Sequence, residues 1–183
     1  TTETSFRSLF SALETLMLFF RKNNNLETLL PSKDWKIFEK ELKNWIKNYN
    51  LLSENSYEEK KPLIYAKISE LNRISFSYVF DKLCKTYKIN LTDLWPVTEN
   101  DKGLSLTQIR NKLVHGEYFT PIQLHSLFVA TEHLRWTVER VLLGILKWPA
   151  NKSHVSETFL KNVIVFNKDW EKDRSILSLR AFQ

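Results

Sequence analysis

Cysteine is almost missing from this chain: Cys84 is the single one. One thiol cannot build an internal disulfide framework, so the fold must be held by its core, and a reducing, cytoplasmic setting is expected. The same scarcity removes Cys pairs as metal ligands. His115, His125, His133 and His154 fall at no zinc-type spacing, and the chain has no HExxH. His125 and His133 are eight apart on one expected helix, roughly 12 Å by helix rise, too far to share an ion directly. No metal site and no cofactor are expected. Glycine and proline are also scarce, at three and five residues, which favours helix over strand. Long apolar runs are absent too. The longest, Leu16 to Phe20, lies inside an amphipathic pattern and falls far short of the roughly 20 residues needed to cross a bilayer. No secretory leader is visible, and the chain opens on Thr1 rather than Met, so it is read as a domain excised from a longer protein.

What remains is a lysine- and leucine-rich chain of 183 residues, most simply one domain with a sizeable core. Its net charge of +6 leans towards a polyanionic partner, but surplus lysine on a solvated surface gives the same figure. Thr4 can cap a first helix to about Lys22, with Phe6, Leu9, Phe10, Leu13, Leu16, Met17 and Phe20 on its apolar face. Pro31-Ser32 opens a second, from about Lys33 to Tyr49. Its expected core face is Trp35, Phe38, Leu42, Trp45 and Tyr49, opposite a stripe of Lys36, Lys40, Lys43 and Lys47. Such a stripe is either a solvated face or a track for a phosphate backbone.

Ser53 to Lys61 reads as a polar loop, and Pro62 as the start of a third helix from about Leu63 to Tyr87. Ile89 to Asn100 reads as a connection. A fourth helix is expected from near Ser105 to His115, with Leu106, Ile109 and Leu113 inward and Gly116 at the left-handed position after its end. Thr120-Pro121 then caps a long fifth helix to about Lys147, whose apolar side is Leu124, Leu127, Phe128, Leu134, Val138, Val141, Leu142 and Ile145. Trp148-Pro149 stops it. Beyond Asn151 the short apolar stretch Phe159–Phe166 and the alternation over Ser175–Phe182 suggest a hairpin or a packed tail. The expected architecture is all-α, an antiparallel bundle of four to five helices over residues 1–150, with a short irregular or hairpin extension over 151–183 packed on it.

The chemistry concentrates in Gln108-Ile109-Arg110-Asn111-Lys112-Leu113-Val114-His115-Gly116. Asn111 and His115 are i,i+4 neighbours on one helix face, and Arg110 lies beside Asn111. An always-charged guanidinium, an amide and a group titrating near neutrality are thus gathered at a helix end, a usable kit for phosphodiester chemistry. The bland reading fits the residues equally well: Arg110 pairing with an acid across the bundle, and His115 bonding the last carbonyls of its helix. Glu14, on the flank of the first helix's apolar face, is placed to reach Arg110 or simply to face water. Lys112 could bind phosphate or face solvent. Trp95, Trp136 and Trp148 could stack on bases, though core or rim positions suit them better.

An all-helical bundle with Arg-Asn-x3-His-Gly at the end of a helix resembles the HEPN superfamily, whose hallmark is Arg-x4–6-His with a polar residue often directly after the arginine. Arg110, Asn111 and His115 stand at those three positions. With Leu13-Glu14 in the first helix and Leu-Thr-Gln-Ile-Arg-Asn-Lys-Leu-Val-His-Gly downstream, residues 4 to 148 are similar to the C-terminal HEPN domain of ApeA-type anti-phage defence proteins. The resemblance implies a metal-independent endoribonuclease, the effector of an anti-phage or abortive-infection protein that carries a sensor domain elsewhere. RNA would be the substrate. His115 would move the proton, Arg110 would stabilise charge on the phosphoryl oxygens, and Asn111 would orient the histidine or substrate, with Glu14 and Lys112 auxiliary. It also implies a homodimer with a composite active site. The alternative is a non-catalytic HEPN module for dimerisation or nucleotide or RNA binding. Tyr118 departs from the His-x-Tyr of toxin HEPN domains, since the spacing here is His-x2-Tyr, and that regulation does not carry over.

Overall fold

In the computed structural model, residues 1–48, 54–98, 103–167 and 170–179 are described. The fold is all-α. Among the described residues there is no strand, and an isolated bridge joins Thr28 and Arg73. Two compact units can be distinguished, Thr1–Leu18 with Phe80–Gln183, and Phe19–Val79. The helices α1 (Thr2–Asn23) and α4 (Phe76–Tyr87) each have residues in both.

In the larger unit, α1 buries Phe6, Phe10, Leu13 and Met17 at the expected three- and four-residue steps. Helix α5 (Leu106–Val114) turns inward Leu106, Ile109 and Leu113, as its spacing demands. Helix α6 (Pro121–Ile145) is covered more widely than a single stripe allows. Phe128 and Leu142, expected inside, are exposed, whereas Val129, His133, Trp136 and Arg140 are buried. The chain after Trp148 causes this. It forms a 3-10 turn (Ala150–Lys152) and then α7 (Glu157–Leu160), α8 (Ile164–Asn167) and α9 (Trp170–Ser178), of which α8 and α9 pack on α6. The hairpin alternative for this tail is therefore not what forms. Ser156 caps α7 by accepting from the Phe159 N–H, and side chains of α6 stitch α9 down. Ser126 Oγ donates to Asp173 at 2.6 Å, and the Gln123 amide donates to the carbonyls of Ile176 and Leu179, near the end of α9. Residues 180–182 of the expected alternation lie outside the described residues.

In the smaller unit, α2 (Ser32–Lys47) packs on α3 (Glu54–Glu70). The expected core face of α2 is not a core: no residue of that helix is buried, and Trp45 is 59% exposed. Tyr49 lies outside the described residues. Two further expectations fail here. The presumed loop before Pro62 is helical from Glu54, and Pro62 sits inside α3. Its fixed φ suits a helix, and the forfeited backbone bond, a cost of about 3 kcal/mol, does not stop the turns on either side. The expected helix from Leu63 to Tyr87 is also interrupted between Glu70 and Phe76. There the Asn72 carbonyl accepts from the Leu29 N–H, its side chain exchanges two bonds with Leu30, and the Ile74 carbonyl accepts from Arg21.

Candidate functional site

Helix α5 is fixed at both ends. At its N-terminus, Ser105 and Gln108 form a reciprocal capping box. The next two free N–H groups, of Leu106 and Thr107, donate to the carbonyls of Pro96 and Val97 at 3.0 Å each. At its C-terminus the Glu117 N–H reaches back to the Lys112 carbonyl and the Gly116 N–H to the Leu113 carbonyl, the paired bonds of a Schellman motif. Gly116 has the positive φ of +78° that this motif needs. His115 is the C-cap residue, with its backbone N–H bonded to the Asn111 carbonyl at 2.9 Å. Its backbone is thus pinned while its side chain is exposed.

Around that turn, Glu14 of α1 sits with Oε1 3.1 Å from Arg110 Nη2. Arg110 Nη1 donates to Asn111 Oδ1 at 3.3 Å. Arg110 and Glu14 are each about one-third exposed, where such a pair contributes only about 0.2–1 kcal/mol to stability. Its larger consequence is geometric: the carboxylate sets where the guanidinium lies. Lys112 is engaged by Glu117 at 2.6 Å.

One residue went unnoticed in the sequence. Arg7 of α1 donates from Nη2 to the Leu113 carbonyl at 2.6 Å, the same oxygen that accepts from Gly116. Arg7 and Glu14 are seven residues apart, two turns along one stripe of α1, and they reach Leu113 and Arg110 respectively. The order reverses between the helices, so α1 and α5 run antiparallel here. That i,i+7 spacing of opposite charges was the available signal.

The remaining candidates belong to other elements. Lys36, Lys40 and Lys47 are exposed on α2, while Lys43 is bonded to Glu39 at 2.6 Å and lies over the Tyr65 ring. Trp95 and Trp136 are buried and cannot stack on bases, whereas Trp148 is exposed. A cleft of about 510 Å³ opens near Tyr87, Asn90, Trp148 and Thr158. The Arg140 at its wall is fully spoken for: it makes a bidentate pair with Asp93 at 2.5 and 2.7 Å and donates to the carbonyls of Val155 and Asn90. Among the described residues no three His, Cys, Asp or Glu side chains are grouped to hold a metal ion, and no helix is long and apolar enough to cross a membrane.

No family model, curated protein or solved structure matches the chain. Its chemistry rests on its own geometry.

Proposed function

We propose that the end of α5 is the active site of a HEPN-type, metal-independent endoribonuclease, the effector domain of an anti-phage defence protein. The observation that carries this reading is the set at one helix end: a guanidinium held by Glu14 and bonded to Asn111, beside an exposed histidine on a pinned turn. In the reaction, the 2′-hydroxyl oxygen of RNA attacks the adjacent phosphorus and the bond from phosphorus to the 5′-oxygen breaks. The products are a cyclic phosphate and a 5′-hydroxyl. His115 takes the proton from the attacking hydroxyl or delivers one to the leaving oxygen. Arg110 stabilises the charge that grows on the phosphoryl oxygens, and Asn111 holds substrate or imidazole in line. The active species is a homodimer in which two motifs share one cleft. The exposed apolar side chains of Val114, Tyr118 and Ile122 around the turn are in keeping with a covering partner.

A second reading has its own support. Glu14 partly neutralises Arg110, as in an ordinary structural ion pair, which suits a non-catalytic module that dimerises or binds nucleotide through the same surface. Cleavage of a single-stranded RNA in EDTA separates the two. The catalytic reading expects cleavage by the wild type, and a loss of about 100-fold or more in His115→Ala and Arg110→Ala with helical content intact. Full activity in both variants removes the site assignment. No cleavage by a folded, dimeric wild type favours the binding module.

A further inference from the structure

We propose that Arg7 is the phosphate-binding cation of this site, holding an RNA phosphodiester beside His115 while Arg110 is committed to Glu14 and Asn111. The proposal rests on the ribonuclease reading for its substrate class. It follows from where charge is cancelled and where it is not. Among the described residues, Arg7, Arg110 and Lys112 are the cations whose bonds at the last turns of α5 bear on this. Arg110 has Glu14 at 3.1 Å, and Lys112 has Glu117 at 2.6 Å. Arg7, among the described residues, has no carboxylate partner; its bond is to the uncharged carbonyl of Leu113 at 2.6 Å. A backbone carbonyl fixes a guanidinium without neutralising it. The carbonyl end of a helix also favours a nearby cation, so Arg7 is stabilised where it stands and needs no counter-ion.

A guanidinium has five N–H donors in a rigid fork, and the Leu113 bond uses one. Arg7 is an exposed residue, and the carbonyl it grips belongs to Leu113, two residues before the exposed His115. A phosphate accepts such a fork in bidentate fashion, which a lysine cannot offer. Two guanidiniums then divide the work. Arg110, oriented by the acid, meets the charge that develops during reaction. Arg7, uncompensated, supplies the ground-state grip on the backbone.

The test uses the whole chain and a single-stranded 2′-O-methyl oligoribonucleotide, which lacks the attacking hydroxyl and so reports binding alone. Its affinity is followed by fluorescence anisotropy across a salt series. Arg7→Gln keeps an amide donor for the Leu113 carbonyl but has no charge. It should weaken binding about tenfold and lower the slope of log affinity against log salt by about 0.7, the share of one phosphate contact on a single strand. Arg7→Lys should keep the slope and lose part of the affinity. Unchanged affinity and slope in Arg7→Gln, with only a lower melting temperature, assigns Arg7 to capping α5 and overturns the proposal, as does a wild type that does not bind. A wild type that binds without cleaving cognate RNA sinks the ribonuclease reading but leaves Arg7 to be decided by the same slopes.

Discussion

At the scale of single residues, His133 on α6 is a base held where a proton would be costly. It is fully buried, and its Nδ1 accepts the Trp95 backbone N–H at 3.1 Å, which places the ring proton on Nε2. Among the described residues Nε2 has no hydrogen-bond partner. The rings of Trp95, Trp136, Phe166 and Trp170 surround it instead, Trp136 edge-on at 5.0 Å and 67°. Such an apolar cage is adequate for a neutral imidazole and poor for a charged one. Burial, with the positive charge of Arg140 adding and Asp93 opposing, pushes the pKa from 6.5 down to about 3. The sign follows: between those values the unfolded chain binds a proton that the folded one refuses, so acid favours unfolding. Stability from this residue should be complete above pH 6.5 and drain away towards pH 3, by at most about 1.4 kcal/mol per unit. His133→Phe should flatten that dependence. It should also cost about 1–3 kcal/mol at pH 7, because the Trp95 N–H is left without an acceptor. Urea unfolding at pH 7 and pH 4 reads both effects, and an undiminished pH slope in the variant would refute the assignment. Cys84 shows the mirror case for an acid: burial first, then Asp81, push its thiol up to about 12, leaving it a poor nucleophile at neutral pH.

At the scale of elements, the position of His115 depends on how α5 ends. Gly116 carries the turn at φ +78°, and beyond the glycine and its two chain neighbours no atom lies within 4 Å of where a Cβ would stand. Gly116→Ala therefore meets no clash, only the strain of a left-handed backbone, about 1–2 kcal/mol. Gly116→Asn should cost less, since asparagine tolerates that region. On the ribonuclease reading, the turn sets where His115 stands, and RNA cleavage should fall in the alanine variant by more than its melting temperature implies, and recover in the asparagine variant. Equal activity in all three proteins would separate His115 from the turn. This helix end was legible in the sequence: a serine before the apolar steps, a glycine after them, and a threonine-proline pair opening α6. Elsewhere local pattern gave way to distant partners. The apolar steps through Ile68, Leu71, Ile74 and Tyr78 run unbroken, and nothing local announces that Leu29 and Leu30 bond to Asn72 and break the helix. The Asp93–Arg140 and Arg7–Leu113 bonds span 47 and 106 residues, separations at which periodicity carries no information. Of the two alternatives for the tail, the packed one forms and the hairpin does not, and its helices went unread because the buried face of α6 that anchors them looked polar through Gln123, Ser126, His133 and Arg140.

At the scale of the whole molecule, the ribonuclease reading assigns the net charge of +6 and the end of α5 to different steps. A positive surface raises the local concentration of a polyanion and speeds encounter, but exposed charges are screened over about 8–10 Å at physiological salt. Contacts at the reacting phosphate act on turnover instead. The lysine stripe of α2 belongs to the Phe19–Val79 unit and the α5 site to the other, so the two contributions can be altered separately. Lys43 is already diverted to Glu39 and Tyr65, which leaves Lys36, Lys40 and Lys47 as the exposed members. Replacing these three with glutamine changes charge while sparing the helix. If the stripe tracks the RNA backbone, affinity should fall and the salt slope should drop by up to about 2, at roughly 0.7 for each lost contact on a single strand. The cleavage rate at saturating RNA should stay the same. His115→Ala should do the reverse, keeping affinity and losing turnover. An unchanged salt slope in the triple variant makes the stripe a solvated face. Abolished turnover in the triple variant, with His115→Ala fully active, would move the functional centre of this protein from α5 to α2.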